Sequence, residues 1–313
     1  MRNSKLLPFL CLLLVSLPAA ASGRKAYPMS VPAAGVRAIT FDVQEGDFVL
    51  RGDPSARDIQ MRVSIDRAWI FKLGEEDILK KLIKVEGEGT DHVTIRTNIE
   101  PSWKNWFRAE YPIDFEITVP ADARLVVHDT SGKIEISSLR GDVEIADTSG
   151  TLSVRDVAGA LNVGKESGDI YLTGIAGPTM IESRSGQMRL RNLGALEIAA
   201  SDGNLDIAGV RQAELHNRGG NIHIAQVAGP LTIDDDGGEI VATGVSGPTV
   251  IHDTSGQIRL ARVAAVTVFD TSGDLRVRGA ASLDLREKES GEVKLANIAG
   301  AVSLPPGITA KRE

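Results

Sequence analysis

Four residues before three successive turn glycines stand His216, Asp234 and His252. Imidazoles and a carboxylate in one line are a ligand set that zinc accepts. One residue further on come Asn217, Asp235, Asp253 and Asp270, and earlier in the chain Asp129 and Asp147 hold the same place. Carboxylates stacked about 4.8 Å apart repel one another and welcome a cation. The same aspartates head turns of the Asp-Thr-Ser-Gly kind, where Asp bonds nearby backbone amides. That turn role is the commoner use of Asp, so it stands first and the cation ladder second. For the histidines the arithmetic is unfavourable. His216 and His252 fall two turns apart, about 9–10 Å, so one ion reaches both only if the side chains converge. A solvated surface row is the plainer reading.

Other chemistry is thinly supported. Ser, His and Asp are all present, but no Gly-x-Ser-x-Gly elbow, phosphate loop, zinc-protease motif or dinucleotide fingerprint occurs. No catalytic residue and no cofactor is therefore expected. Trp103, Trp106 and Phe107, with Trp69 and Phe71, make either an exposed aromatic patch or a packed cap. Their confinement to a non-repeating stretch favours the cap.

The elements that must position these residues are set by a repeat. Gly132, Gly150, Gly168, Gly186, Gly203, Gly220, Gly238, Gly256, Gly273 and Gly291 follow one another at 17 or 18 residues. So narrow a period is the signature of stacked repeats. Within a unit, apolar residues fall 2, 4, 7, 11 and 13 places after the glycine, as in Ile134, Ile136, Leu139, Val143 and Ile145. Alternation at period two in short runs predicts two strands per unit, each with one buried face. Second glycines, such as Gly141, Gly159, Gly177, Gly229 and Gly247, separate the runs. The prediction is an all-β parallel β-solenoid with coils of 17–18 residues, its units stacked so that Ile sits on Ile. Ten coils make a rod of roughly 45–50 Å. Residues 129–313 hold only two aromatics, Tyr171 and Phe269, which suits a thin core. The offsets exclude a hexapeptide helix, and Ile134 and Ile136 stand where a calcium-binding nonapeptide roll needs its glycine and aspartate. Coil length varies by one residue, leaving no long loops of the pectinase kind.

Residues 22–128 lack this register and read as a mixed N-terminal cap with the first irregular coils. Strands are predicted at 39–43, 47–50, 60–65, 92–98 and 113–119, and one short helix over Glu75 to Lys84 with a Glu76–Lys80 pair. Regular repeats span 129–304, and Pro305-Pro306 opens a C-terminal tail, 305–313.

Residues 1–21 read as a signal peptide: Arg2 and Lys5, an apolar run from Leu6 to Leu17, then Ala19-Ala20-Ala21. Cleavage leaves 292 of the 313 residues and moves the formal charge from −7 to −9. The sole cysteine, Cys11, leaves with the signal. An acidic balance argues against a nucleic-acid partner. No later apolar run is long enough to span a bilayer.

The stretch from Val119-Pro120 through Asp129-Thr130-Ser131-Gly132 to Gly150, with its Ser-Gly-x-Ile-x-Ile unit, resembles the putative-adhesin family of exported bacterial proteins. The resemblance covers roughly residues 36–304 and extends to head-domain auto-transporter adhesins. It implies a parallel β-solenoid at the cell envelope, in the periplasm or on the surface, and brings no catalytic motif. The expected function is a non-enzymatic binding or structural module whose partner is a surface polymer or an envelope protein. A periplasmic scaffold or signalling accessory is the second reading, and a carbohydrate-active enzyme on a β-helix the third.

Overall fold

The computed structural model describes residues 23–67, 70, 74, 76–98 and 112–312. The signal segment and the Trp69, Phe71, Trp103, Trp106 and Phe107 cluster lie outside the described residues. Strands β1 (Arg24–Pro32), β2 (Ala38–Asp42), β3 (Phe48–Asp53) and β4 (Asp58–Asp66) lead to a one-turn helix, α1 (Ile78–Leu82). Then come β5 (Ile83–Glu86), β6 (His92–Thr97), β7 (Asp114–Pro120), β8 (Arg124–Asp129) and β9 (Lys133–Leu139). From there two strand runs per coil continue to the C-terminus, joined through their corners into single long strands over Thr179–Gly219 and Thr249–Glu287.

Two parallel stacks run the length of the rod. In one, β8 lies between β2 and Val143–Asp147, which pairs on with Leu161–Lys165. In the other, β9 lies between β3 and Thr151–Val157, followed by Ile170–Ile175. Because the registers match, Ile134, Leu152 and Ile170 stand over one another inside, with 0% exposure. Each such side chain gains about 1.5–3 kcal/mol from burial.

The corner glycines set the pitch. Nine of the ten anchors have φ between 94° and 140°, Gly203 being the exception. A Cβ built at Gly150 would overlap the carbonyl oxygen of Gly132, and one at Gly238 that of Gly220. Only a residue without Cβ lets successive coils approach this closely. Six places later the backbone turns left-handed in every coil, at φ 51–71°, whether the residue is Gly244, Asn192, Gln226 or Arg262. That residue is skipped in the pairing, as Asp156 is between Arg155 and Val157. It explains the change of parity between the apolar places 4 and 7.

The N-terminal part departs from chain order. β2 and β3 form a coil wedged between β6–β7 and β8–β9. Gly46, at φ 122°, thereby joins the glycine column, 86 residues before Gly132. Phe41, Phe48 and Phe115 fill this end, Phe41 and Phe48 edge to face at 5.2 Å. Antiparallel β1 on β4, β4 on β7 and β5 on β6 end the parallel stacks. The helix is shorter than the expected 75–84, because Ile83–Glu86 pairs with Thr94–Thr97 instead. Lys80 bonds Asp77 at 2.8 Å, where a Glu76 pair was expected. At the other end Ala310–Arg312 pairs with Val293–Leu295, so part of the expected tail is a strand of the last coil.

Two glycines separate these roles. Gly238→Ala should cost at least about 2 kcal/mol, combining overlap with a left-handed backbone. Gly244→Asn should cost under about 1 kcal/mol, since φ is 70° and the nearest atom to a new Cβ is 3.8 Å away. Denaturant unfolding of both variants checks the contrast.

Candidate functional site

The corner before each anchor is built from letters with separate tasks. In Leu231–Asp235, the residues Leu231, Ile233 and Asp235 point inward. Period two therefore carries the aspartate three places before the glycine into the core. Its head then meets the turn amides: Thr130 N–H donates to Asp129 Oδ1 at 2.8 Å and Ser149 N–H to Asp147 Oδ1 at 3.1 Å. The serine ties coils together, Ser149 Oγ–H donating to the carbonyl of Thr130 and Ser255 Oγ–H to that of Asp236. One place after the glycine, Asn204 and Asn221 accept the backbone N–H of the next coil through Oδ1.

The result is a polar column inside the rod. Asp129, Asp147, Lys165, Asn217, Asp235, Asp253, Asp270 and Lys288 are all between 1 and 7% exposed. Lys165 and Lys288 were not singled out in the sequence, although the glycine spacing places both in this column. The Lys165 ammonium donates to Asp147 Oδ2, and that of Lys288 to Asp270 Oδ2 and to the Gly273 carbonyl. Between them the balance fails. Asn217 Nδ2–H donates to Asp235 Oδ1 at 3.0 Å, but Asp235 Oδ2, both oxygens of Asp253 and Oδ1 of Asp270 have no hydrogen-bond partner. Burial pushes the Asp129 and Asp253 carboxyls up to about 7 and Asp235 up to about 6. For Asp253, the charges of Asp270 and Asp235 add to burial. Asp147 and Asp270 are raised by burial too, against the pull of their lysines.

Outside this column runs an open trough of about 600 Å³, lined by His216, Asp234, His252 and Phe269, with Asp235 and Asp253 also reaching it. His216 and His252 do converge, though on a carboxylate. His216 Nδ1 lies 2.9 Å from Asp234 Oδ2, and His252 Nδ1 lies 2.6 Å from Asp234 Oδ1. The His252 ring lies against Phe269, centroids 4.5 Å apart. All three polar residues are more than 40% exposed. Among the described residues no three His, Cys, Asp or Glu side chains gather as a metal-binding group. The arrangement can grip a polar ligand on a ring and two imidazoles.

The sequence profile of the family described as Toastrack DUF4097 matches residues 75–302. No curated protein matches the chain. Among solved structures, a putative cell adhesion protein from Clostridium sporogenes is 11% identical, with TM-score 0.39, covering 53% of this chain and 81% of its own. A putative adhesin from Bacteroides fragilis is 12% identical, with TM-score 0.35, covering 89% and 96%. A putative lipid binding protein from Parabacteroides distasonis is 15% identical, with TM-score 0.34, covering 90% and 97%.

Two outcomes follow from the column. Asp129, Asp235 and Asp253 hold protons more tightly folded than unfolded. Their contribution is therefore full below about pH 4 and is lost as pH rises through about 6–7. Denaturant unfolding from pH 4 to 8 should show the slope, and Asp253→Asn should flatten it. Lys165→Met leaves Asp147 buried without its cation and should cost about 3–5 kcal/mol, most of which Asp147→Leu added to it restores. A double-mutant cycle by chemical denaturation measures both.

Proposed function

Since the chain belongs to the Toastrack DUF4097 family, we propose that it is an exported, non-enzymatic binding module of the bacterial cell envelope, an adhesin-type rod. Its flank engages a surface polymer or another envelope protein. The observation that carries this reading is the constancy of the coil: anchors recur at 17 or 18 residues, so no loop rises between 129 and 304 to enclose a reacting group. What the rod offers instead is repeated polar rows and the open trough at His216, Asp234, His252 and Phe269. A shallow surface with an aromatic ring beside fixed hydrogen-bonding groups suits an extended ligand held at several points. Residues 1–21 support export, and no described helix is long and apolar enough to cross a membrane.

External protease on intact cells tests the location. Degradation, with a periplasmic marker untouched, supports the surface role. Protection until the outer membrane is breached would replace it with the periplasmic scaffold. A panel of envelope polysaccharides tests the chemistry: retention without cleavage is expected, and release of reducing ends would move the protein to the carbohydrate-active class. His252→Ala should weaken retention at least several-fold while the melting temperature moves little, as its side chain is about half exposed.

A further inference from the structure

The polar column supplies its own comparison. Where Asp147 is followed by Lys165, and Asp270 by Lys288, a buried carboxylate meets a buried ammonium one coil away. Asp235 is followed in register by Asp253, and no lysine stands between them. Open carboxylate oxygens are densest here: Asp235 Oδ2 and both oxygens of Asp253 have no hydrogen-bond partner, in residues only 4% and 5% exposed, against one oxygen each at Asp129 and Asp270 elsewhere in the column. Buried groups of this kind are almost always satisfied, and each one left open is costly.

We propose that a hard divalent cation of the magnesium–calcium class binds between Asp235 and Asp253, in the place that a lysine ammonium fills elsewhere in the column. Neighbouring coils rise by about 4.8 Å. That is twice the roughly 2.4 Å from such an ion to a carboxylate oxygen. The charges agree: with Asp235, Asp253 and Asp270 ionised and Lys288 the one cation beside them, the stretch carries a buried charge of −2. Asn217 on one side is neutral and gives its amide N–H to Asp235. Since no three His, Cys, Asp or Glu side chains gather among the described residues, the protein supplies two carboxylates and water the remaining ligands. Two carboxylates with retained water are the usual terms for magnesium and a weak site for calcium. Asp235 and Asp253 both line the trough, so the site lies directly beneath it. Asp234 and Asp236 on the same corner add negative potential at its mouth, while Arg218 opposes it. The exposed His216–Asp234–His252 group is a separate feature, and the site does not depend on the polymer-binding role.

The full chain is tested by calorimetry and thermal melting at about pH 8. Magnesium or calcium chloride, up to about 10 mM, is set against sodium chloride of equal ionic strength. A saturable heat and a melting temperature raised by a few degrees are expected. Asp253→Asn should abolish it. Asp253→Lys rebuilds the Asp147–Lys165 arrangement, so it should melt at or above wild type in chelator and ignore both metals. Wild type that gives no heat and melts as it does in sodium chloride would overturn the proposal, whatever the variants do. So would an Asp253→Asn or Asp253→Lys protein, folded by circular dichroism, that still responds. A response to one metal alone assigns the site to that ion.

Discussion

The corner at which one glycine rests on the carbonyl of the glycine beneath it governs the whole molecule. Gly132 over Gly46, Gly150 over Gly132 and so on to Gly291 over Gly273 form one column with no room for a side chain. That contact fixes the spacing of the coils. With spacing fixed, strands pair in register and identical apolar places stack. A residue gained or lost within a strand would turn the side chains after it to the wrong face, so the three 17-residue coils lose theirs at the second corner, between Leu193 and Leu196, Val210 and Ala213, and Val263 and Val266. The narrow core then follows, and with it the near absence of aromatics after residue 128. Only the coil formed by β2 and β3, with its neighbours β7 and β9, is wide enough for Phe41, Phe48 and Phe115.

The same geometry makes room for a polar residue inside. Three places before the glycine the strand is still alternating, so the third inward side chain sits at the point where the chain begins to turn. There it finds backbone amides to satisfy and little apolar surface to meet. The fold does not demand charge at that place, since Val43 and Ala200 occupy it in two coils and are buried. Where charge is used it comes in a repeated phrase. Asp147 and then Lys165-Glu166-Ser167-Gly168 are echoed by Asp270 and then Lys288-Glu289-Ser290-Gly291. A buried ion pair adds little net stability over an apolar pair, but breaking one is expensive. Two such pairs penalise any slip of one coil against the next. They therefore lock a register that stacked Ile and Val, being alike in every coil, specify weakly.

Much of this was legible, and the places where reading failed have physical causes. Glycine spacing exposed the repeat, and offsets 2, 4, 7, 11 and 13 exposed both strands. The alternation at 11 and 13 continues to 15, which is the Asp column. It was read as a turn because Asp is polar, yet position decides burial before side-chain type does. Lys165 and Lys288 sit in that column by the same count, but a lysine in a turn phrase carries no sign of burial in its letter alone. Gly46 escaped because its coil is inserted out of chain order, so no constant period links it to Gly132. Stacking brought the His216, Asp234 and His252 row together as expected. What the row holds is a shared carboxylate, because rotamers let imidazoles two coils apart reach inward to a residue between them.

In a repeat protein, chemistry has to reside in departures from the repeat. A place filled alike in every coil contributes to pitch or core, whereas a single exception has no structural duty that its neighbours lack. On the outer row four places before the glycine, His128, Ala146, Gly164, Glu182 and Ala199 are followed by an unbroken polar and aromatic run, His216, Asp234, His252, Phe269 and Glu287. On the inner row Asn217, Asp235 and Asp253 stand together without the lysine that follows Asp147 and Asp270. Both departures fall on the same coils and open on the same trough. The rod thus brings these groups together within a few neighbouring coils of one corner. Binding there would act on the register itself, because the inner row is the one that holds neighbouring coils in place. A ligand or ion at that corner would stiffen the C-terminal half of the rod through contacts that already exist, without any change in fold.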